Sequence, residues 1–154
     1  MKMQDKLYSM FTDEVSVDEI WQLVTDVDHW NQWDFNIEYS SMEGNFSVGK
    51  SIAIKSRLFP QSGIAVFDSD ECQKSIVYLL VFPLSDFFIS YFYKEVENGV
   101  KITVTLAIQG ILSPFWYLIY GRNIAKNFPE DIKIMIDETK SRKHKKIFIN
   151  RFTE

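Results

Sequence analysis

The chain has 154 residues, enough for one domain with a sizeable core. Its formal net charge of −4 argues against general nucleic-acid binding, which needs a basic face. Cys72 is the single cysteine, which excludes an intramolecular disulfide and a cysteine-rich zinc site. 

From the N-terminus, Lys6–Val15 fits an edge strand. Ser16-Val17-Asp18-Glu19 then opens a helix with a capping box, and Val15 and Ile20 stand at the positions of a hydrophobic staple. Ile20, Leu23, Val24 and Val27 give that helix one apolar face through about Asp26. Asp28 is read as the cap of a second, very short helix over His29–Trp33, so that the two helices make a V. Asp26, Asp28 and His29 are metal-ligand types, but helix capping accounts for them better, and no metal is expected.

Period two then takes over. The predicted strands are Asn36–Ser41, Lys50–Arg57, Gly63–Asp70, Ser75–Phe82, Asp86–Glu97 and Val100–Gly110, with short connections that make the sheet antiparallel. Asn98-Gly99 is the strongest hairpin signal. Taken as a two-residue turn, it pairs Tyr93 with Val104, Tyr91 with Leu106 and Ile89 with Ile108, and puts these six on the inner face.

The last third reads KITVTLAIQGILSPFWYLIYGRNIAKNFPEDIKIMIDETK. Ser113 suits an N-cap and Pro114 the first helical position. Tyr117, Tyr120, Ile124, Phe128, Ile132 and Met135 recur at helical spacing, while Phe115, Leu118 and Ile119 make the first turns apolar on nearly every side. Pro129 must kink or split this helix. A bent apolar helix after a run of strands predicts a helix lying across a curved sheet, enclosing an apolar pocket. Aromatics at 16% of the chain suit either a ring-packed core or a ring-lined cavity.

The division expected is one domain over 1–140 and a basic C-terminal tail over 141–154. The cations from Lys140 to Lys146 suit a solvated helix end, and with Ile147-Phe148-Ile149 the alternative is weak contact with an anionic membrane surface. MKMQDKLYSMF has no apolar stretch of signal-peptide length, and the apolar run Ile111–Tyr120 is too short to span a bilayer, so a cytoplasmic protein is expected. The sequon Asn45-Phe46-Ser47 is read as chance.

Four stretches carry a resemblance: VSVDEIWQLVTDVDHWNQWD (Val15–Asp34), EGNFSVGK (Glu43–Lys50), NGVKITVTLAIQGILSPFW (Asn98–Trp116) and GRNIAKNFPEDIKIMI (Gly121–Ile136). The chain resembles the helix-grip superfamily, also called SRPBCC. That group holds START lipid-transfer domains, birch-pollen-allergen-like proteins and polyketide cyclase/dehydrase-like proteins, and the first stretch looks like the last branch. The resemblance implies an α+β fold: a seven-stranded antiparallel sheet wrapped around a long kinked C-terminal helix, with two short helices after strand 1. It implies a deep, mostly apolar cavity, and no single activity, since members bind lipids, hormones, quinones and polyketides and a minority are enzymes.

The expected function is binding or transport of a small hydrophobic ligand, a lipid, polyketide or isoprenoid, with no cofactor. The alternatives are a polyketide cyclase/dehydrase-type enzyme and a peripheral membrane lipid-transfer protein. Only isolated polar residues are foreseen in the cavity, which favours binding over catalysis. The candidate ligand-binding residues are Trp30, Trp33, Ile89, Tyr91, Tyr93, Val104, Leu106, Phe115, Leu118, Arg122 and Ile124. In the family the short second helix borders the cavity entrance, so Trp30 and Trp33 are either a lid or an anchor for the V, the anchor being favoured. Tyr91 and Tyr93 offer inward hydroxyls. Arg122 offers a cation at the edge of the buried helix face, for a ligand carboxylate or enolate.

Overall fold

The computed structural model describes residues 2–45, 47–57, 62–69 and 73–153. Strand β1 (Lys2–Thr12) leads into α1 (Val17–Val24) and a short 3₁₀ helix (Val27–Gln32). Six strands follow: β2 (Ile37–Ser41), β3 (Ser51–Ser56), β4 (Ser62–Ser69), β5 (Gln73–Phe82), β6 (Ser85–Val96) and β7 (Gly99–Gly110). The C-terminal helical region runs as α2 (Ser113–Trp116), a π-helical segment (Tyr117–Gly121), α3 (Arg122–Lys126) and α4 (Phe128–Thr153). The strands form one antiparallel sheet in the order β1-β7-β6-β5-β4-β3-β2, the α+β helix-grip arrangement. No helix among the described residues is long and apolar enough to cross a membrane. Cys72, Phe46 of the sequon and the Pro60-Gln61 part of a predicted turn lie outside the described residues.

The capping box at α1 forms as spelled: the Glu19 amide donates to Ser16 Oγ at 3.1 Å, and the Ser16 amide donates to Glu19 Oε1 at 2.9 Å. Ile20, Leu23 and Val24 then turn into the core. The 3₁₀ helix starts earlier than expected, and Asp28 does not cap it. Asp26 precedes it without a capping bond, because its carboxylate is held by His29 Nδ1 at 2.7 Å and by the Arg142 guanidinium at 3.0 Å. The Arg142 cation on this carboxylate outcompetes a neutral backbone amide. At the other end, Leu112 takes the N-cap position of α2; Ser113 follows as its first residue and is fully buried.

The β6–β7 hairpin has its expected faces but a different register. The turn residues are Glu97 and Asn98, Val96 pairs with Gly99, and Tyr93, Tyr91 and Ile89 sit opposite Ile102, Val104 and Leu106. Asn98 supplies the positive φ of the turn, at 65°. Gly99 is spent instead on a close approach to β1, since a Cβ there would lie 2.3 Å from the Thr12 carbonyl oxygen. The slip is two residues, one full pleat, so no side chain changes face. Phe87, Tyr91 and Tyr93 of β6 and Ile102, Val104, Leu106 and Ile108 of β7 are buried inward.

The helix over this face is broken where Pro129 demands it. α3 stops at Lys126, Asn127 turns, and α4 begins at Phe128, with the Asp131 amide donating to the Asn127 carbonyl at 2.9 Å. Ile124, Phe128, Ile132, Met135 and Ile136 face the core. The first turns differ from expectation: Trp116 and Tyr120 pack onto Phe82, while Phe115, Leu118 and Ile119 stay exposed.

Gly110 makes the corner between β7 and the helical region. Its φ is +121°, and a Cβ would lie 2.2 Å from the Leu84 carbonyl oxygen in the β5–β6 turn. The Trp116 indole N–H closes the same corner on the Pro83 carbonyl at 2.9 Å. Gly110→Ala combines backbone strain with a backbone clash, so a loss of about 2–4 kcal/mol in urea unfolding is expected. An unchanged midpoint would contradict this account of the corner.

Candidate functional site

A cavity of about 270 Å³ lies between the sheet and the broken helix. Its sheet wall is Ile54, Leu80, Ile89, Tyr78 and Tyr91, and its helical wall is Ile124, Phe128, Ile134 and Met135. The segment from Trp33 to Ile37 closes one side, and exposed Phe35, Asn127 and Glu130 mark the mouth. The lining is mostly apolar, as burial of alternate strand residues and one helix stripe requires.

Set into this lining is a polar cluster. Trp33 ends the 3₁₀ helix, and the Asp34 amide donates back to the Trp30 carbonyl at 2.8 Å. Asp34 then turns the chain into β2 by accepting the Asn36 amide on Oδ1 at 3.0 Å. The Asn36 carbonyl accepts from the Arg57 amide at 2.9 Å and from Ser56 Oγ at 3.1 Å, fixing that residue to the sheet. From there the Asn36 side-chain amide reaches Asp131, in the first turn of α4, donating to Oδ1 at 3.3 Å. Asn36 thus clips together two carboxyl groups 97 positions apart in the chain.

Both carboxyls are held away from their ordinary ionisation. Burial raises the Asp34 pKa to about 6, and its bond from the Asn36 amide only partly offsets this. Burial, with the charge of Asp34 added, raises Asp131 to about 7. No basic residue lines the cavity, and no cation pairs with either group among the described residues. Burial also pushes up the phenols of Tyr78 and Tyr91, and both carboxylates add to the shift, so the hydroxyls stay protonated. Neither hydroxyl has a hydrogen-bond partner among the described residues. Near neutral pH this wall can therefore take up or release a proton.

Of the residues singled out from the sequence, Trp33, Ile89, Tyr91 and Ile124 line the cavity. Trp30 does not. It is buried, donates its indole N–H to the Val24 carbonyl at 2.8 Å, and packs edge-on against Phe67, as an anchor for the V. The Trp33 indole nitrogen is buried without a partner among the described residues. Tyr93 stacks behind Tyr91 with ring centroids 6.5 Å apart, outside the cavity. Val104 and Leu106 fall one strand beyond it, in solid core. Phe115 in α2, Leu118 in the π-helical segment and Arg122 at the start of α3 are exposed and outside the cavity.

Sequence spacing missed Asp34, Asn36, Tyr78 and Asp131. The one local signal was Asp34-Phe35-Asn36, an Asp two residues before the amide it binds. Asp131 reads as an ordinary first-turn acid, and nothing in the sequence joins it to Asp34. In the basic stretch, Lys140 pairs with Glu14, Arg142 with Asp26 and Glu138, and Lys143 with Glu19, so these three cations are engaged within the protein.

The sign of the Asp34 shift fixes a stability test. Its folded pKa, about 6, lies above the ordinary aspartate value of 3.8, so the folded state holds the extra proton between those values. Stability therefore falls as pH rises through that window, and the penalty is complete above it. Asp34→Asn keeps an oxygen for the Asn36 amide and removes the buried charge. The variant is expected to be more stable near pH 8 by about 1–3 kcal/mol, with the gain fading toward pH 4. Urea unfolding across pH checks this, and a gain that does not vary with pH would contradict it.

No family model and no curated protein matches the chain. Solved structures do. The Zhui aromatase/cyclase from a Streptomyces species superposes with a TM-score of 0.67 at 11% identity, over 92% of this chain and 96% of its own. Human STARD10 gives 0.66 at 13% identity, over 96% of this chain and 68% of its own. Norcoclaurine synthase from Thalictrum flavum gives 0.65 at 12% identity, over 92% and 97%. At such identities the likeness is one of fold alone, and the chain shares the helix-grip fold of these structures.

Proposed function

We propose that the protein binds a small, largely apolar molecule in its internal cavity. The observation that carries this reading is the cavity itself: open space of about 270 Å³ where a domain of this size would otherwise pack solid. The size is near the lower end of ordinary ligand sites, roughly 300–1,000 Å³. It suits a compact one- or two-ring guest, such as a small polyketide or isoprenoid, better than a two-chain lipid. Burying about 300 Å² of apolar guest surface contributes roughly 7 kcal/mol before the costs of association. The lipid-transfer and cyclase structures of the same fold agree with a ligand-holding role.

A second reading has its own observation. Asp34 and Asp131 titrate near neutrality beside two protonated phenols, an acid–base set in an apolar chamber. This favours a proton-transferring enzyme of the cyclase or dehydrase type, and aromatase/cyclases are among the similar structures. The wall would hold a folded, reactive chain and move a proton to or from it.

Ligand binding is tested with N-phenyl-1-naphthylamine, an uncharged probe that fluoresces in apolar surroundings. Saturable binding at one site per chain is expected. Ile89→Trp fills the space from the sheet side and Ile134→Trp from the helix side. Either is expected to weaken the probe by about tenfold or more while the circular dichroism stays native. Native-like affinity in both variants would place the probe outside the cavity and sink the reading.

A further inference from the structure

We propose that the cavity recognises a cationic nitrogen: Asp34 and Asp131, clipped by Asn36 and flanked by Tyr78 and Tyr91, select a small apolar guest that carries a protonated amine. The proposal rests on the ligand-binding reading above and adds the chemical class of the guest.

Three independent features point the same way. First, the charge inside is of one sign. Asp34 reaches the cavity from the loop before β2, Asp131 and Glu130 from α4, Tyr78 from β5 and Tyr91 from β6, and no Lys, Arg or His among the described residues lines it. An anionic guest meets only like charge here, and the one residue that sequence spacing offered for an anion, Arg122, lies outside. Second, the carboxyls have hydrogen bonds but no counter-charge. Asn36 satisfies one oxygen of each, at 3.0 and 3.3 Å, which leaves the other oxygens free to accept from an ammonium.

Third, the aromatic wall suits a cation as well. Tyr91 is nine-tenths buried, its side chain lines the cavity, and its hydroxyl has no partner among the described residues. Tyr78 meets Tyr91 edge-on with centroids 6.1 Å apart, so one ring presents its face beside the edge of the other. Ring faces attract ammonium groups most strongly where water is excluded. A neutral guest would use the apolar lining and leave the two carboxyls uncompensated. A protonated amine uses both.

The proton balance follows. Burial raises both acids, so near pH 6 to 7 the wall carries protons that an arriving ammonium displaces. Binding of an amine is therefore expected to release protons in that range and to weaken at lower pH.

Three probes of one shape test this: 2-phenylethylamine, 2-phenylethanol and phenylacetate, a cation, a neutral molecule and an anion. Each is titrated against the protein carrying N-phenyl-1-naphthylamine near pH 8, and displacement is read. The amine is expected to bind about tenfold tighter than the alcohol, with phenylacetate weakest. Near pH 5, and in the double variant Asp34→Asn/Asp131→Asn, the amine-to-alcohol ratio is expected to shrink to within about threefold. The naphthyl probe reports whether each variant is folded. Equal binding of amine and alcohol, or no displacement by the amine from a protein that holds the naphthyl probe, overturns the amine proposal and leaves the ligand-binding reading standing. Failure of the naphthyl probe itself to bind removes both.

Discussion

The two-residue repeat of the pleated strands governs this molecule. Across β5, β6 and β7 it sends Ile76, Leu80, Tyr91, Tyr93, Ile102, Val104, Leu106 and Ile108 to one face of one sheet. A face that apolar cannot stay in water, and with seven strands in sequence no second sheet is available to cover it. Cover must come from helices, and the chain supplies them at both ends of the strand run. The V of α1 and the 3₁₀ helix packs on one part, and the C-terminal helices on the rest. Trp30 rivets the V in place through Val24 and Phe67, which sets the position of the next few residues, Trp33 to Asn36.

The same geometry makes the site costly. A packed core would be more stable than one with open space, since wall atoms lose dispersion partners across the gap. The two carboxyls worsen this by holding charge in an apolar wall without a counter-ion. Both features are unfavourable for folding and useful for binding, and they occur at one place. The Asn36 clip turns the second into a defined arrangement, because its backbone is tied to β3 by Arg57 and Ser56 while its side chain holds Asp131. Strain concentrated in this way is what a pre-organised site requires.

The architecture was legible because its signals are periodic or local. Period two, the capping box at Ser16 and the break demanded by Pro129 each depend on neighbours within a few residues, and each forms. The hairpin register was misread by two residues without consequence, since a shift of one pleat returns every side chain to its face. The site was legible in half. Ile89, Tyr91 and Ile124 follow from facing the interior, but facing inward does not separate cavity from core, and Val104 and Leu106 share that orientation with no space beside them. Leu118 lies inside the π-helical segment, where the angular step between residues departs from that of a helical wheel, and Phe115 lies in the short α2 before it, on the side away from the sheet contacts of Trp116. Asp34 and Asp131 were illegible because their meaning is a contact between distant parts of the chain.

That contact, and the open space around it, lie at the helix break. Every helical residue lining the cavity lies between Ile124 and Met135, on either side of Asn127. Upstream, α2 and the π-helical segment are pinned to the sheet end through Trp116, Tyr120 and Phe82. Downstream, α4 is pinned to the V through Arg142 and Lys143. A straight helix would have to satisfy both anchors along one axis. Without an amide at Pro129 the hydrogen-bond ladder is interrupted, and the helix divides at Asn127, which itself lines the cavity. Asp131 is two residues past that proline, in the first turn of the new helix, where it accepts from the Asn36 side chain. The residue without an N–H thus sits where a new helix starts beside the cavity, and the first turn of that helix carries the second carboxyl to Asn36, a meeting of two acids that the strands alone would not make.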